Sequence, residues 1–407
     1  MSQAFDPLEL RRAFPALDQS VNDRPLIYLD NGATSQTARA VLDAMDDYYQ
    51  GCRANVHRAG HALAAKATTA FEQVRHQIAG WLRVESERAV IFNRGTTEAI
   101  NLVAWGLLDR LGPGDEILVS TMEHHANLVP WQLVAQRSGA RVRPIPLTQS
   151  GELDMAAYQA LLGPRTRLVA VCHASNTLGV INPVARICEL ARRHGALSVI
   201  DGAQAAPHLA IDIQALGCDF YVFSGHKMFG PTGVGVLTGR LAALEQLEPW
   251  QGGGEMIDRV SFEGVTFNAL PHRLEAGTPP IAEVIGLGRA VALVEGLGDG
   301  ARRHEQHLLD RLWRGLAQLP VQLLGPRDPR VSLISLSAPG VHPGDLALYL
   351  DGKGIAVRAG SHCTQPLHSA LGLDGSLRLS LAPYNTEDEV DQALAALAEA
   401  LALFGDD

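Results

Sequence analysis

Between about residues 89 and 240 the chain alternates short apolar, β-branched runs with amphipathic helical patterns, and few folds accommodate that alternation. AVIFN precedes TTEAINLVAWGLL, EILVS precedes ANLVPWQLVAQ, RLVAVCH precedes VARICELARRHG, and LSVID leads on to CDFYVF and SGHK. Runs that are apolar throughout belong to strands covered on both faces, and helical crossovers between them give parallel pairing. The expected fold is therefore α/β with a mostly parallel sheet. Ligands on such sheets bind beyond the carboxyl ends of the strands, so chemistry is expected just after each run. Those positions read Asn93-Arg94-Gly95-Thr96, Glu123-His124-His125, His173-Ala174-Ser175-Asn176, Asp201-Gly202-Ala203-Gln204 and Ser224-Gly225-His226-Lys227. Five polar strand ends in succession exceed what turn chemistry requires and indicate a site.

After GVGVLTG the chain carries glycine-rich QGGGEM (251–256) and EAGTPP (275–280). Beyond about residue 285 the pattern changes to long helices with a few strands (VSLISLS, GIAVRAG, SLRLSL) and a final apolar helix. The expected organisation is a segment 1–25 joining a small domain, a large domain over 26–285, and a small α+β domain over 286–407. A chain of 407 residues with 46% hydrophobic content supports more than one core. The net charge of -10, with both signs interspersed, argues against nucleic acid or an anionic membrane as a partner. The start MSQAFDPLELRRAF lacks a signal-peptide pattern and no apolar run is long enough to span a bilayer, so a cytosolic location is expected. Five scattered cysteines without a CxxC pair indicate neither a disulfide framework nor a zinc cage. The histidine pairs His57/His61 and His124/His125 lack an HExxH setting, so no metal is expected.

Lys227 forms a Schiff base with a carbonyl only where desolvation keeps it neutral, since a free lysine titrates near about 10.4. Asp201, ending an apolar run, calls for a buried cation such as a protonated ring nitrogen. A Schiff-base lysine with an aspartate on a pyridinium nitrogen is what pyridoxal phosphate demands. Gly95, Thr96 and Thr97 open a helix whose free N–H groups suit its phosphate, with Ser224 and His226 as further donors. His124 is placed to lay its imidazole on the ring face and Gln204 to bond the ring hydroxyl. Cys363 differs from Cys172, Cys188 and Cys218, which lie in apolar stretches, because RAGSHCTQPLH is polar and broken by glycine. Its thiol, near Arg358 and His362, is expected to be nucleophilic. Arg358 and Arg378 have the planar fork that holds a carboxylate.

These residues resemble the class V aminotransferase family of pyridoxal phosphate enzymes and, within it, the cysteine desulfurases of the SufS/CsdA type (group II). The resemblance runs through DNGATSQ (30–36), NVHR (55–58), RGTTEAINLVA, MEHHAN, HASNTLG, DGAQAAPH, SGHKMFGPTGVG, EAGTP, RAGSHC and APYNT. It implies fold-type I, with a seven-stranded sheet in the large domain and the catalytic cysteine loop in the small one. It implies that Lys227 carries the cofactor and shuttles protons, Asp201 meets the pyridine nitrogen, His124 stacks on the ring and Gln204 bonds its hydroxyl. Gly95, Thr96, Ser224 and His226 match the phosphate site. Thr278 matches a phosphate ligand supplied by a neighbouring subunit, implying a homodimer with shared active sites.

Asn176 and Arg378 match positions that hold the substrate carboxylate, Arg358 lies near the nucleophile, and His57 and Arg58 match an active-site edge near the interface. Cys363 aligns with the residue that takes sulfur from L-cysteine, leaving L-alanine and a persulfide. That chemistry implies a small sulfur-acceptor protein, sulfur supply for iron–sulfur cluster assembly, and accompanying selenocysteine lyase activity. One position departs from the family: Ser361 stands where a first histidine is usual, leaving His362 as the nucleophile's neighbour. The alternative is another class V enzyme, a transaminase or lyase, with Cys363 incidental.

Overall fold

The computed structural model describes residues 5–58 and 60–405. Seven strands make its central sheet: β1 (Ile91–Asn93), β2 (Glu116–Ser120), β3 (Arg141–Ile145), β4 (Thr166–Cys172), β5 (Leu197–Asp201), β6 (Phe220–Ser224) and β7 (Gly235–Gly239). Their order is β1-β7-β6-β5-β4-β2-β3, and β7 alone runs antiparallel to its neighbours. The α/β class and the mostly parallel seven-stranded sheet are as expected. Within β4 and β5, residues alternate between two dry layers. Val169, Val171 and Ile200 pack with Phe71 and Ile78, while Leu168, Ala170 and Val199 pack with Ile100 and Trp131. With both faces buried a strand has no polar side, which is why these segments read as unbroken apolar runs. The sequence pattern passed over β3 because RVRPI is a half-exposed edge strand, where Pro144 costs no interior hydrogen bond.

A second body contains a four-stranded antiparallel sheet of Gln322–Leu324, Leu333–Ser337, Ser376–Ser380 and Arg358–Gly360. Leu308, Leu312, Leu379 and Leu397 form its separate core. The closing helix Glu387–Phe404 starts with a reciprocal cap, Thr386 bonding the Glu389 N–H and Glu389 bonding back.

The division expected after residue 285 falls inside a helix, and the contacts of the joining segment with the small body continue past residue 25. Ile27–Tyr28 pairs in parallel with Ile355–Ala356, and the Ser380 N–H donates to the Leu29 carbonyl at 2.7 Å. The helix Ile281–Leu316 runs through residue 285 and breaks only at Gly298, whose φ of 63° and ψ of -168° are non-helical. Val284, Leu287 and Val291 before the break belong to the large core, and Leu308 and Leu312 after it to the small one. We therefore place the division at Gly298 and extend the joining segment to about Asp30.

Gly235, in β7, lets β1 and β6 approach closely. A Cβ there would lie 2.5 Å from the Gly95 Cα and 2.6 Å from the Phe223 carbonyl oxygen. Both are backbone atoms, so no rotamer change relieves the clash. Gly235→Ala is expected to lower the urea midpoint by the equivalent of about 1–3 kcal/mol; an unchanged midpoint would contradict this packing.

Candidate active site

The carboxyl ends of β1, β2, β4, β5 and β6 open on one cavity of about 450 Å³. Thr96 and Thr97 reach it from beyond β1, His124 from beyond β2, and Asn176 from beyond β4. Asp201 ends β5, and Ser224, His226 and Lys227 end β6 or follow it. The small body contributes Arg358, Cys363 and Arg378, and the joining segment adds Gly32, Ala33 and Thr34.

Lys227 ends the one-turn helix Gly225–Lys227, at whose first residue a Cβ would lie only 3.0 Å from Val234 and 3.1 Å from the Pro231 carbonyl oxygen. Burial pushes the Lys227 ammonium below the ordinary lysine range, opposed by the charge of Asp201. Burial likewise pushes the Asp201 carboxyl up, opposed by Lys227 and by the Ala203 N–H, which donates to it at 2.9 Å. Each group offsets part of the other's desolvation. Burial brings His124 down to about 4, so its ring is neutral at physiological pH. The Ala126 N–H donates to its Nδ1 at 3.0 Å, which leaves the ring proton on Nε2. His226 is also brought down to about 4, by burial and then by the charge of Lys227. Its Nδ1 lies 3.2 Å from the Thr34 hydroxyl.

Gly95 is the N-cap of the helix Thr96–Gly106, with a φ of 139° and no side-chain cap. The Thr96 N–H donates to Ser224 Oγ at 2.8 Å, and the two hydroxyl oxygens are also 2.8 Å apart. Two hydroxyls at the positive end of a helix form an anion site. Gln204 stands behind the wall rather than on it, its Nε2 donating to the Gly32 carbonyl at 2.6 Å.

Two arginines share one carboxylate. Arg378 donates to Asp30 at 3.2 Å and to the Asn176 carbonyl at 2.9 Å, and its buried Nε has no partner among the described residues. Arg358 pairs with the same Asp30 at 2.8 Å. A Cβ at Gly32 would meet the Arg378 guanidinium carbon at 3.2 Å, so glycine there admits the arginine. Asp30, Gly32 and Thr34 escaped strand-end reasoning because DNGATSQ follows only the two-residue strand Ile27–Tyr28.

Cys363 is exposed, whereas Cys52, Cys172, Cys188 and Cys218 are buried. His362 lines the same cavity as Cys363, as expected of a neighbour, but its ring is held away from a charged state. Its ring is buried, Nε2 lies 3.0 Å from Ser376 Oγ, and burial pushes its pKa to about 3. It therefore supplies no positive charge. Thr364, which carried no sequence signal, is buried with its hydroxyl 2.8 Å from the Ser361 carbonyl and 3.0 Å from Thr177 Oγ1.

Three site candidates lie apart from this cavity. Thr278 lines a separate cleft with Trp250 and Gln251. His57 sits between Glu72 (2.8 Å) and Glu255 (3.0 Å), and Arg58 pairs with Glu255 at 3.0 Å. The hydrogen bond that the His57 ring donates to Glu72 raises the His57 pKa, so this group is a charge-paired cluster within one chain. No helix among the described residues is long and apolar enough to cross a membrane.

The class-V aminotransferase family matches residues 27–393, and the chain belongs to that family. Its full-length relatives include proteins named as cysteine desulfurases. The cysteine desulfurase of Dickeya dadantii is 47% identical over 406 residues, covering 98% of each chain. The crystal structure of the cysteine desulfurase CsdA from Escherichia coli, in an S-sulfonic acid form, superposes with a TM-score of 0.91. It is 41% identical, over 99% of this chain and 100% of that one. A C-DES variant with glycine linked to its PLP cofactor is 26% identical over 96% of this chain and 99% of that one, with a TM-score of 0.83.

The cavity fits pyridoxal phosphate on its own donor set. An uncapped helix start with two hydroxyls suits a phosphate, a desolvated lysine suits an aldehyde, and a buried carboxylate suits a protonated ring nitrogen. Because burial favours the neutral rings, His124 and His226 are expected to gain a proton only near pH 4, whereas an unfolded imidazole does so near about 6.5. NMR titration of ring-labelled histidines tests this, and midpoints near 6.5 for both would contradict the burial described.

Proposed function

We propose that this chain is a pyridoxal-phosphate-dependent cysteine desulfurase that converts L-cysteine to L-alanine and keeps the sulfur as a persulfide on Cys363. The observation that carries the reading is that Cys363, the exposed cysteine, lines the same cavity as Lys227 and Asp201. Pyridoxal phosphate, when bound, withdraws electrons from the substrate α-carbon and so acidifies its proton and loosens the bond to sulfur. Lys227 would hold the aldehyde, Asp201 the ring nitrogen and His124 the ring face, while Gln204 braces the Gly32 carbonyl behind the wall. Thr96, Ser224, His226 and the Gly95 turn would hold the phosphate.

The remaining work falls to side chains. Lys227, disfavoured as an ammonium by burial, takes the α-proton at Nζ. Arg378, with its free Nε, and Asn176 orient the substrate carboxylate, while Asp30 keeps Arg358 and Arg378 in place. The Cys363 thiolate attacks the substrate sulfur. An S–S bond forms as the C–S bond breaks, the electron pair goes to the substrate β-carbon, and a proton completes the methyl group of alanine. Atoms balance as cysteine plus enzyme thiol giving alanine plus enzyme persulfide.

A thiol reductant or a small sulfur-acceptor protein then removes the outer sulfur, as supply for iron–sulfur cluster assembly in the cytosol would require. The same arrangement suits L-selenocysteine, whose selenol leaves more readily. We further propose a homodimer, because Thr278 lies outside its own chain's cavity and completes a phosphate site only from a second copy. His57 and Arg58 then belong to that interface edge.

Purified enzyme given L-cysteine and a thiol reductant is expected to release alanine and sulfide in equal amounts. Cys363→Ala is expected to lower both about 100-fold or more while keeping its bound cofactor. Undiminished turnover by that variant would favour another class V reaction with Cys363 incidental.

A further inference from the structure

The Cys363 loop has to present its thiol to the cavity while having little regular structure of its own. His362 and Cys363 both occupy the left-handed region, with φ of 49° and 58°, a conformation disfavoured for residues that carry a Cβ. Such a backbone persists only where surrounding contacts impose it. The Asn176 amide supplies one, donating to the His362 carbonyl at 2.8 Å. His125 supplies two. Its backbone N–H donates to the Cys363 carbonyl at 2.8 Å, and its imidazole Nε2 accepts the N–H of Gln365 at 3.2 Å.

Gln365 begins the helix Gln365–Ala370, whose own N-cap, Thr364, makes no side-chain cap. The Thr364 hydroxyl is turned instead toward the Ser361 carbonyl and Thr177. A ring from beyond β2 therefore satisfies an N–H that the local sequence leaves open. His125 grips the loop at the nucleophile and two residues beyond it, and is absent from the cavity lining, unlike its neighbour His124.

We infer that His125 is a positioning residue for sulfur transfer, its imidazole fixing the Cys363 loop so that the thiol meets the substrate sulfur. This rests on the desulfurase reading. The ring has to be neutral and protonated on Nδ1, because only an unprotonated Nε2 accepts from an N–H.

The test compares holoenzyme forms of the wild type, His125→Ala and His125→Gln, each mixed rapidly with L-cysteine. The alanine substitution removes the ring contact and keeps the backbone one, while glutamine returns an acceptor oxygen to nearly the reach of Nε2. Two signals are followed: the cofactor absorbance change on cysteine binding, and the rate of persulfide and alanine formation. His125→Ala is expected to keep its cofactor and its absorbance change but to transfer sulfur about 10- to 100-fold more slowly. His125→Gln is expected to recover most of the rate. Wild-type transfer by His125→Ala, equal slowing in both variants, or loss of the absorbance change would each overturn the inference. A wild type that makes no alanine would overturn the desulfurase reading itself, a result separable from those three.

Discussion

Asp201 places a carboxylate at the buried end of a central strand, and a buried anion destabilises a fold unless a cation meets it. Lys227 is that cation in the protein alone, and the match is incomplete. The carboxyl still sits above its ordinary range and the ammonium below its own, both because of burial. Each group is thus held in a condition that a third partner improves. A protonated ring nitrogen relieves Asp201, and an aldehyde consumes the neutral amine that the site favours. The sheet's strand order makes this possible by setting β5 and β6 side by side.

The second half of the chemistry depends on a different constraint, the junction between the two bodies. The loop after β4 lies at the centre of that junction. Asn176 bonds the His362 carbonyl, Thr177 meets Thr364, and the Ser335 hydroxyl donates to the Thr177 carbonyl at 2.6 Å. Arg378 reaches the Asn176 carbonyl from the small sheet and shares Asp30 with Arg358. The nucleophile's loop is therefore referenced to the strand end that neighbours Asp201. The position of Cys363 in the cavity is thus tied to the large body through these polar contacts.

Much of the large body was legible because its strands are buried on both faces and so read as continuous apolar runs. The edge strand Arg141–Ile145 was not, since half-exposure and a proline erase that signal. The polar residues after the strands were legible for the same reason, as interruptions that an apolar sheet does not need. What lay beyond reach was direction. Nothing in RAGSHC states that His362 turns inward onto Ser376 while Cys363 stays exposed, because both outcomes depend on left-handed backbone imposed from outside the loop. Asp30, Thr177 and Thr364 were silent for a related reason: each acts through a partner more than 180 positions away in sequence. Thr278, His57 and Arg58 follow none of the strands that open on the cavity, and they lie outside it.

The central claim is that sulfur leaves L-cysteine for Cys363 and for no other group. The most direct measurement is mass spectrometry of the holoenzyme after one turnover with L-cysteine and no reductant, followed by peptide mapping under conditions that preserve persulfides. The account requires a gain of one sulfur atom on the peptide that contains Cys363, matched by alanine released. Alanine released with the added sulfur on another cysteine, or with no sulfur retained on the protein, would contradict it.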